Sequence, residues 1–417
     1  MTAISSNARS GPAAERPSVD AGYTDDVEAS KDRPLTVLQV VPRLDQGGVE
    51  RGTLEIVEAI VAAGGRAIVA TAGGRLEFRV VRAGGEIAHM SADSKNPLTM
   101  WQNTRAMRRL IHAHKVDIVH ARSRAPAWSA YWAANAMGVP FVTTFHGTYN
   151  ERGPFKRTYN SIMARGRPVI AISEFIRGLV RERYGVPDDQ IVTIPRGADI
   201  SIFAEEAVGN ERTIKLADNW GLIDDARSVV LMPGRLTRWK GGESVIEAAA
   251  RLKEIRGSDF LVLMVGDNPD GAFTTQLENK IRDTGTDDVV RLTGGTSDMA
   301  AAYKIASVVV SASIEPEAFG RVIVEAQAMS RPVIATNHGG ARETVVHGES
   351  GWLYSPGDAE ALARTIHQAL EMDPSERAHM GLAGRARIHS AYTVSAMQRA
   401  TLNVYEQVAD RTFQTLL

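Results

Sequence analysis

The sequence predicts an α/β fold made of two doubly wound domains, each built on a mainly parallel sheet. Three observations support this: the length of 417 residues, the alternation of short β-branched runs with longer amphipathic stretches, and a second start of that alternation near the middle of the chain. The 44% hydrophobic and 23% charged residues are typical of an ordinary globular protein. Length and composition together predict two mid-sized domains with separate cores.

Charge and cysteine counts exclude several classes of function. The 48 basic and 49 acidic residues leave a formal net charge of −1, so no global basic excess points to nucleic acid. The chain has no cysteine, which excludes disulfides, thiolate metal sites, iron–sulfur clusters and a cysteine nucleophile. No apolar run approaches the roughly 20 residues that span a bilayer. We expect a cytoplasmic protein without an integral membrane segment.

The first half of the chain predicts a tail and then a sheet. Residues 1–33 are rich in Ala, Ser, Pro and Asp and have no apolar stretch, so we expect a disordered tail rather than a secretory signal. Residues 34–198 are expected to form the N-terminal domain, with helices at 50–62 and 97–114 between its strands. Its candidate strands are 36–41, 66–71, 86–89, 116–120, 140–145, 168–172 and 190–194.

The second half repeats the pattern after an irregular segment, residues 199–225. Residues 199–389 are expected to form the C-terminal domain, and the last helix, within 390–417, to pack back on the N-terminal domain. The candidate strands are 228–232, 260–265, 289–292, 306–311 and 332–336. The candidate helices at the end of the chain are 359–371, 374–389 and 394–408.

Two doubly wound domains in tandem predict a ligand in the cleft between them, at the carboxyl ends of the strands. The usual nucleotide fingerprints of such folds are missing. The chain contains no Gly-x-Gly and no Gly-Lys-Ser/Thr P-loop. Nicotinamide enzymes and P-loop ATPases are therefore disfavoured.

Residues 315–326 carry the strongest functional signal, two glutamates on either side of an expected helix start. If the helix begins near Gly320, its free N–H groups and dipole form an anion site for a phosphate. Glu317 and Glu325 lie eight residues apart, roughly 8–12 Å, which is the span of a nucleotide sugar from hexose to ribose. Carboxylates accept hydrogen bonds from sugar diols. A solvated helix with a capping glutamate is the alternative interpretation.

Residues 233–241 carry a second signal, directly after the first expected strand of the second domain. Arg235 and Lys240 can both reach the cleft from this loop and neutralise a diphosphate, in the ground state and as charge builds on its departure. Surface salt bridges are the alternative. The glutamates at 317 and 325 in the same domain favour the diphosphate interpretation.

These segments resemble glycosyltransferase family 4, retaining enzymes of the GT-B class that use nucleotide-sugar donors. The resemblance covers nearly the whole chain after the tail and implies two Rossmann-like doubly wound parallel-sheet domains facing across a cleft. It rests on these motifs: Gly47-Gly48-Val49-Glu50-Arg51, Phe145-His146-Gly147, Ile194-Pro195-Arg196-Gly197-Ala198-Asp199, Gly234-Arg235 with Lys240, Val265-Gly266-Asp267, the Glu317 and Glu325 pair, and Gly339-Gly340 with Glu343 and Gly351.

The resemblance also implies a role for individual residues. Arg235 and Lys240 would bind the diphosphate, and Glu325 would bind the ribose. The transferred sugar would contact Glu317, Ala318, Phe319, Gly320 and His146. Gly47 and Gly48 would let the backbone approach the phosphate closely. The catalytic residues among them would be His146, Arg235, Lys240 and Glu317. The family needs no metal, and no Asp-x-Asp pair follows a strand here, so we expect neither metal nor cofactor. At the hinge the family usually has Asn where this chain has Arg196, a departure whose effect the sequence leaves open.

The implied activity is retaining transfer of a hexose-type sugar from a nucleotide diphosphate sugar to a hydroxyl acceptor. The acceptor would be a sugar or lipid-linked glycan, in the biosynthesis of lipopolysaccharide, cell-surface polysaccharide or glycolipid. Three alternatives stay open: a nucleotide-sugar epimerase, a glycosidase and an inactive sugar-nucleotide-binding subunit. A retaining glycosidase needs carboxyls about 5 Å apart, closer than the span estimated for this pair.

A membrane partner is suggested by residues 151–184. Eight basic residues there stand against three glutamates, an excess of five positive charges in a chain of net charge −1. Such a segment can attach reversibly to an anionic leaflet, at about 1 kcal/mol per residue near the surface. The alternative is a solvated face whose arginines pair with acids elsewhere in the fold.

Overall fold

A computed structural model describes residues 33–415, apart from 46, 150, 152, 154 and 268–270. The expected disordered tail therefore lies outside the described residues except for Arg33. The chain forms two parallel sheets, each flanked by helices. The α/β class with two Rossmann-like domains is confirmed.

The N-terminal sheet has seven strands in the order β3-β2-β1-β4-β5-β6-β7, and all its described pairs are parallel. This order places β1 and β4 at the centre, where their residues are buried. The strands are β1 Thr36–Val40, β2 Arg66–Thr71, β3 Glu86–His89, β4 Ile118–Ala121, β5 Phe141–Phe145, β6 Val169–Ala171 and β7 Ile191–Thr193.

The C-terminal sheet has six strands in the order β10-β9-β8-β11-β12-β13, again all parallel. Continuous β-branched and aliphatic runs such as Phe260–Val265 form its centre, as expected for strands covered on both faces. The strands are β8 Ser228–Pro233, β9 Phe260–Val265, β10 Val290–Gly294, β11 Val308–Ser311, β12 Val333–Thr336 and β13 Gly351–Tyr354.

Helices connect the strands and cover both faces of each sheet. The N-terminal α-helices are α1 Gly48–Ala62, α2 Glu77–Arg82, α3 Pro97–His114, α4 Arg124–Met137, α5 Lys156–Asn160 and α6 Glu174–Tyr184. Those that follow are α7 Asn210–Asn219, α8 Gly242–Arg256, α9 Gly271–Asp283, α10 Met299–Ile305, α11 Arg321–Ala328, α12 Ala341–Thr344, α13 Ala359–Glu371, α14 Pro374–Ala391 and α15 Val394–Ala409. Short 3₁₀ turns occur at Ser161–Arg165, Asp188–Gln190, Glu205–Ala207 and Arg238–Lys240.

One strand was not expected from the sequence. β13 has only four residues and begins at Gly351, whose φ of +154° is a backbone conformation that favours glycine. Its short run Gly-Trp-Leu-Tyr follows a turn and lacks the β-branched residues that identify the other strands. It adds an edge strand beside β12.

The chain passes between the domains twice, and the two crossings are hydrogen-bonded to each other. Val394 N donates to Ala198 O at 3.0 Å, and Ala198 and Thr393 form a parallel bridge. After the second crossing, α15 buries Met397, Leu402 and Tyr405 in the same apolar cluster as β1. The end of the chain is thus part of the N-terminal domain's core.

Candidate active site

The carboxyl ends of strands from both domains surround a cavity of about 480 Å³ in the cleft. We call it the central cavity. Its N-terminal wall is formed by Gly48, His146, Gly147, Thr148, Ile172 and Arg196. Its C-terminal wall is formed by Trp239, Lys240 and residues 315–322. Loops after β1, β5, β8 and β11 therefore meet where a doubly wound fold places its ligand.

An ion pair lies at the floor of the central cavity. Lys240 Nζ donates to Glu317 Oε1 at 2.6 Å, and the two side chains are only 14% and 15% exposed. Ser313 Oγ donates to the same oxygen, and the ring of Trp239 lies 4.4 Å from Nζ. Among the described residues no side chain donates a hydrogen bond to Glu317 Oε2, so that oxygen can still accept one from a hydroxyl.

The loop that carries Glu317 is held by two glycines of the next βα connection. A Cβ on Gly340 would lie 2.5 Å from Phe319 Cα, and one on Gly339, whose φ is +59°, would lie 2.3 Å from Glu317 O. Gly340 N also donates to Glu317 O at 2.9 Å. Only residues without a side chain allow this approach, so the Gly-Gly pair fixes the backbone under the ion pair.

Helix α11 begins at Arg321, directly after Gly320 in the left-handed region with a φ of 90°. The start of the helix lines the central cavity together with Ala318 and Phe319. The helix therefore directs its first free N–H groups toward the cleft, as the sequence suggested. These groups and Lys240 together present positive charge to the central cavity.

Glu325 lies on the other side of α11 and faces a second cavity. Tyr303 Oη donates to Glu325 Oε2 at 3.2 Å, while Oε1 is 3.5 Å from Arg51 Nη1 and 3.6 Å from Arg321 Nε. This second cavity, of about 540 Å³, is lined by α1 residues such as Arg51 and Glu58, and we call it the α1 cavity. The two glutamates of one motif thus open onto two neighbouring cavities.

His146 contributes a neutral imidazole to the N-terminal wall. The side chain is partly buried, and its Nε2 is buried without a hydrogen-bond partner among the described residues. Burial, reinforced by the charges of Arg196 and Arg122, holds the pKa of His146 well below 6.5. The ring is therefore uncharged at neutral pH.

Three expected site residues do not line the central cavity. Arg235 follows β8 but is exposed, and its side chain has no hydrogen-bond or ion-pair partner in the described part of the chain. Gly47 caps α1, where a Cβ would meet the Glu50 carboxylate at 2.3 Å. Glu325 faces the α1 cavity instead. Gly48 does line the central cavity, and nothing lies within 4 Å of where its Cβ would be.

Arg196 fills the space at the first domain crossing. Its side chain is 6% exposed, and Nη2 donates to Gly48 O at 2.5 Å while Nη1 lies 3.2 Å from Met397 Sδ and 3.9 Å from Glu55 Oε2. Burial, with the charges of Arg122, Arg321 and Arg51, lowers the pKa of Arg196 to about 9, so it stays protonated at neutral pH. Arg196, which stands where the family usually has Asn, therefore links the first crossing segment to α1 and α15.

A third cavity, of about 960 Å³, adjoins the central one on its outer side. We call it the α6 cavity, because Glu174, Phe175, Leu179 and Glu182 of α6 line it. Thr148, Glu315 and Pro316 line both this cavity and the central one. The wall thus combines aromatic and apolar surface with carboxylates.

The basic segment 151–184 does not form one free surface. Arg177 and Arg181 face Asp188 at 2.7 and 3.9 Å, and Arg165 lies over the rings of Trp128 and Tyr131. Arg152 lies outside the described residues. In the part of the chain that is described, no helix is long and apolar enough to cross a membrane. Leaflet attachment remains a prediction.

Metal independence also remains a prediction. Within the described ranges, no three His, Asp or Glu side chains come together as a set that could hold a metal ion. The ionisable side chains at the central cavity are Lys240, Arg196, Arg321, the neutral His146, and two glutamates, Glu315 and the paired Glu317.

Sequence reasoning missed the partners of the motif residues. Ser313 and Trp239 surround the Lys240–Glu317 pair, and Tyr303 and Arg51 surround Glu325. One signal was present: Arg51 and Glu55, like Arg321 and Glu325, are spaced i,i+4 on a helix. The spacing predicts a pair within each helix but not the contact between the helices.

Two family models and several solved structures match this chain. Residues 46–202 match the family described as Glycosyltransferase Family 4, and residues 217–387 match Glycosyl transferases group 1. A crystal structure of a glycosyltransferase from Rickettsia africae is 37% identical, covers 90% of this chain and 98% of its own, and superposes with a TM-score of 0.83. Anabaena HepE in complex with UDP and glucose, at 23% identity, covers 89% of this chain and 99% of its own with a TM-score of 0.76 and shows the same fold.

Curated relatives are also glycosyltransferases. D-inositol 3-phosphate glycosyltransferase of Pseudarthrobacter chlorophenolicus is 29% identical over 311 residues, which are 71% of this chain and 72% of the relative. The GDP-mannose-dependent phosphatidylinositol monomannoside mannosyltransferase of Mycolicibacterium smegmatis is 29% identical over 67% of this chain and 73% of its own. The chain has the two-sheet fold with a cleft between the domains, and the Rickettsia glycosyltransferase is 37% identical over nearly the whole of both chains. This chain therefore belongs to the GT-B glycosyltransferases.

Proposed function

We propose that the protein transfers a hexose-type sugar, with retention of configuration, from a nucleoside diphosphate sugar to a hydroxyl acceptor. The observation that carries this proposal is the Lys240–Glu317 pair at the start of α11 in the central cavity. It offers a cation and free helix N–H groups to a diphosphate, and an unpaired carboxylate oxygen to the sugar beside it.

In the proposed reaction the bond from C1 of the sugar to the diphosphate oxygen breaks, and a bond from C1 to the acceptor oxygen forms on the same face. The acceptor's proton passes to the departing phosphate oxygen. Lys240 and the start of α11 stabilise the charge that develops on the diphosphate, and Arg235, whose side chain is exposed and outside the central cavity, joins them only by turning toward the cleft. Glu317 Oε2 and His146 Nε2 hold the sugar hydroxyls from opposite walls. No enzyme nucleophile is required.

The α6 cavity supports an acceptor of the glycan type. Aromatic rings stack on the apolar faces of sugars, and carboxylates accept from their hydroxyls. Tyr149 and Phe175 supply the rings, and Glu174 and Glu182 the carboxylates. Because the cavity adjoins the central one at Glu315, an acceptor there reaches the donor sugar. We propose a cell-surface glycan or glycolipid as the product, as the name of the mycobacterial mannosyltransferase suggests.

Donor turnover tests the proposal. The purified protein is incubated with UDP- and GDP-hexoses, with and without glycan acceptors, and diphosphate release and product anomeric configuration are measured by NMR. We expect one donor to give acceptor-dependent release and an axial, retained linkage. An inverted product would contradict retention. Conversion of the sugar with donor alone would identify an epimerase, and no turnover of any donor would contradict the proposed activity.

A further inference from the structure

Two helices from different domains meet in a reciprocal set of ion pairs beside the central cavity. Within the helices, Arg51 faces Glu55 at 3.2 Å and Arg321 faces Glu325 at 3.6 Å. Between them, Arg51 faces Glu325 at 3.5 Å and Arg321 faces Glu55 at 3.4 Å. We call these four residues the clasp. Each carboxylate is therefore shared by one arginine from each domain.

Two further arginines, Arg196 and Arg122, lie beside the clasp, and two further acids, Glu58 and Asp199, line the α1 cavity with it. Arg196 lies 3.9 Å from Glu55. Arg122, which is 2% exposed, is close enough to interact electrostatically with both Arg196 and Glu55. Four guanidiniums thus stand around two carboxylates in a largely buried region. The buried Nε of Arg122 has no hydrogen-bond partner among the described residues. Four guanidiniums close together repel one another, since burial and then the charges of the other three lower the pKa of Arg196. An anionic ligand beside them would offset that repulsion.

The clasp also stands between the two cavities that a donor would span. Arg321 lines the central cavity, whereas Arg51, Glu55 and Glu325 line the α1 cavity. A donor with its sugar at Glu317 and its ribose at Glu325 carries its diphosphate between these two points. That path passes the guanidiniums of the clasp.

Arg51 differs from the other members of the clasp in its freedom. Its side chain is 34% exposed, against 19% for Arg321 and 9% for each glutamate. Its contact with Glu325 is long, at 3.5 Å, and its guanidinium lies 5.8 Å from the ring of Phe203. An arginine whose two ion pairs are 3.2 and 3.5 Å long and whose side chain lines a cavity can turn to a phosphate, which it binds with two parallel hydrogen bonds.

We propose that Arg51 is a donor-positioning residue contributed by the N-terminal domain. In this structure it is a partner of Glu325. When the donor binds, the ribose hydroxyls take the Glu325 carboxylate and Arg51 turns to the diphosphate. This inference rests on the proposed nucleoside diphosphate donor, and it assigns the diphosphate a ligand from the domain opposite Lys240.

The test compares ligands with and without the diphosphate. Uridine and guanosine are titrated by ligand-observed NMR, and UDP and GDP by calorimetry, against wild type, Arg51→Gln and Arg51→Lys. Arg51→Gln should weaken the diphosphate that wild type binds by about 10- to 100-fold, the usual effect of losing a hydrogen bond between charged groups. Binding of the matching nucleoside should change less than threefold. Arg51→Lys, which keeps the charge, should show a smaller loss of the same selectivity.

Arg66→Gln is the matched control, because Arg66 belongs to the same domain as Arg51 but pairs with Glu86 at the β3 edge of the N-terminal sheet. It should leave both ligands unaffected. Equal loss of nucleoside and diphosphate in the Arg51 variants, or no loss, would overturn the inference and leave Arg51 as a structural partner of Glu325. Failure of wild type to bind either diphosphate would overturn the proposed function and this inference with it. If Arg51→Gln does not fold, Arg51→Lys alone decides between these outcomes.

Discussion

Glu317 and Glu325 come from one motif but differ in the domain that supplies their partners. Glu317 is paired inside its own domain, with Lys240 and Ser313. Glu325 is paired across the domain boundary as well, with Arg51. A short segment therefore places one carboxylate where the C-terminal domain alone fixes it and another where both domains must be in place. Changes near Glu317 should alter the chemical step, and changes near Glu325 should alter donor binding.

The largest expected effect is on the Glu317 side. Lys240→Ala should lower kcat/KM by about 10²- to 10³-fold, because losing one charge-stabilising group commonly costs about 3–4 kcal/mol of transition-state stabilisation. Arg238→Ala is the matched control: this neighbouring cation is exposed and pairs with Gln276 and Glu243, away from the cavity. Steady-state transfer assays measure both variants. If both variants lost kcat/KM equally, the summed positive charge of the 238–240 turn, and not the Lys240–Glu317 pair, would support the reaction.

Acid should act on the N-terminal wall that faces Glu317. The pKa of His146, and that of the buried His120, is lowered by burial below the unfolded value of about 6.5. Below pH 6.5 the unfolded chain therefore takes up protons first, and the free energy of unfolding falls by about 1.4 kcal/mol per pH unit for each histidine. This continues until the native pKa is reached. Above pH 6.5 this contribution is complete.

Urea unfolding at pH 7.5, 6.5 and 5.5 measures that slope. His146→Asn should remove one histidine's share of it between pH 6.5 and 5.5, while His120 keeps its hydrogen bonds to Tyr405 and Thr144 at 2.6 and 2.7 Å. An unchanged slope in His146→Asn would show that this side chain is protonated as easily in the native protein as in the unfolded chain.

The smallest effects sharpen the comparison most. Ser313→Ala removes one hydrogen bond from Glu317, and Tyr303→Phe removes one from Glu325. Each should cost about 1 kcal/mol, or about fivefold. Ser313→Ala should lower kcat with donor KM nearly constant, and Tyr303→Phe should raise the dissociation constant for the nucleoside diphosphate with kcat nearly constant. If both variants change the same constant, the two glutamates do not have separate roles.

Elements with strong local signals could be predicted from the sequence. The strands at Arg66–Thr71 and Phe260–Val265 and the helices at Pro97–His114 and Ala359–Glu371 lie where their periodicity places them. Asn96 and Asp358 cap the two helices with their side chains, which explains why the helix starts were well defined. The four-residue β13 had no such signal.

Site residues within one motif could also be anticipated, but their partners could not. Arg51 and Glu325 are 274 positions apart, so their contact depends on how the two domains dock. The same holds for Glu343, whose carboxylate accepts from the N–H groups of Glu174 and Phe175 at 2.9 and 2.8 Å and so caps α6 from the other domain. Periodicity and motif spacing describe one chain segment at a time, and carry no information on docking.

Calorimetric titration of a nucleoside diphosphate alone into Glu325→Gln and Glu317→Gln tests the central claim most directly. A neutral amide accepts from ribose hydroxyls less well than a carboxylate does, so Glu325→Gln should weaken binding by about tenfold. Glu317→Gln, placed at the sugar that this ligand lacks, should bind almost as wild type and lose turnover instead. The opposite ranking, with Glu317→Gln losing affinity and Glu325→Gln binding normally, would show that the donor lies in the reverse orientation and would contradict the account.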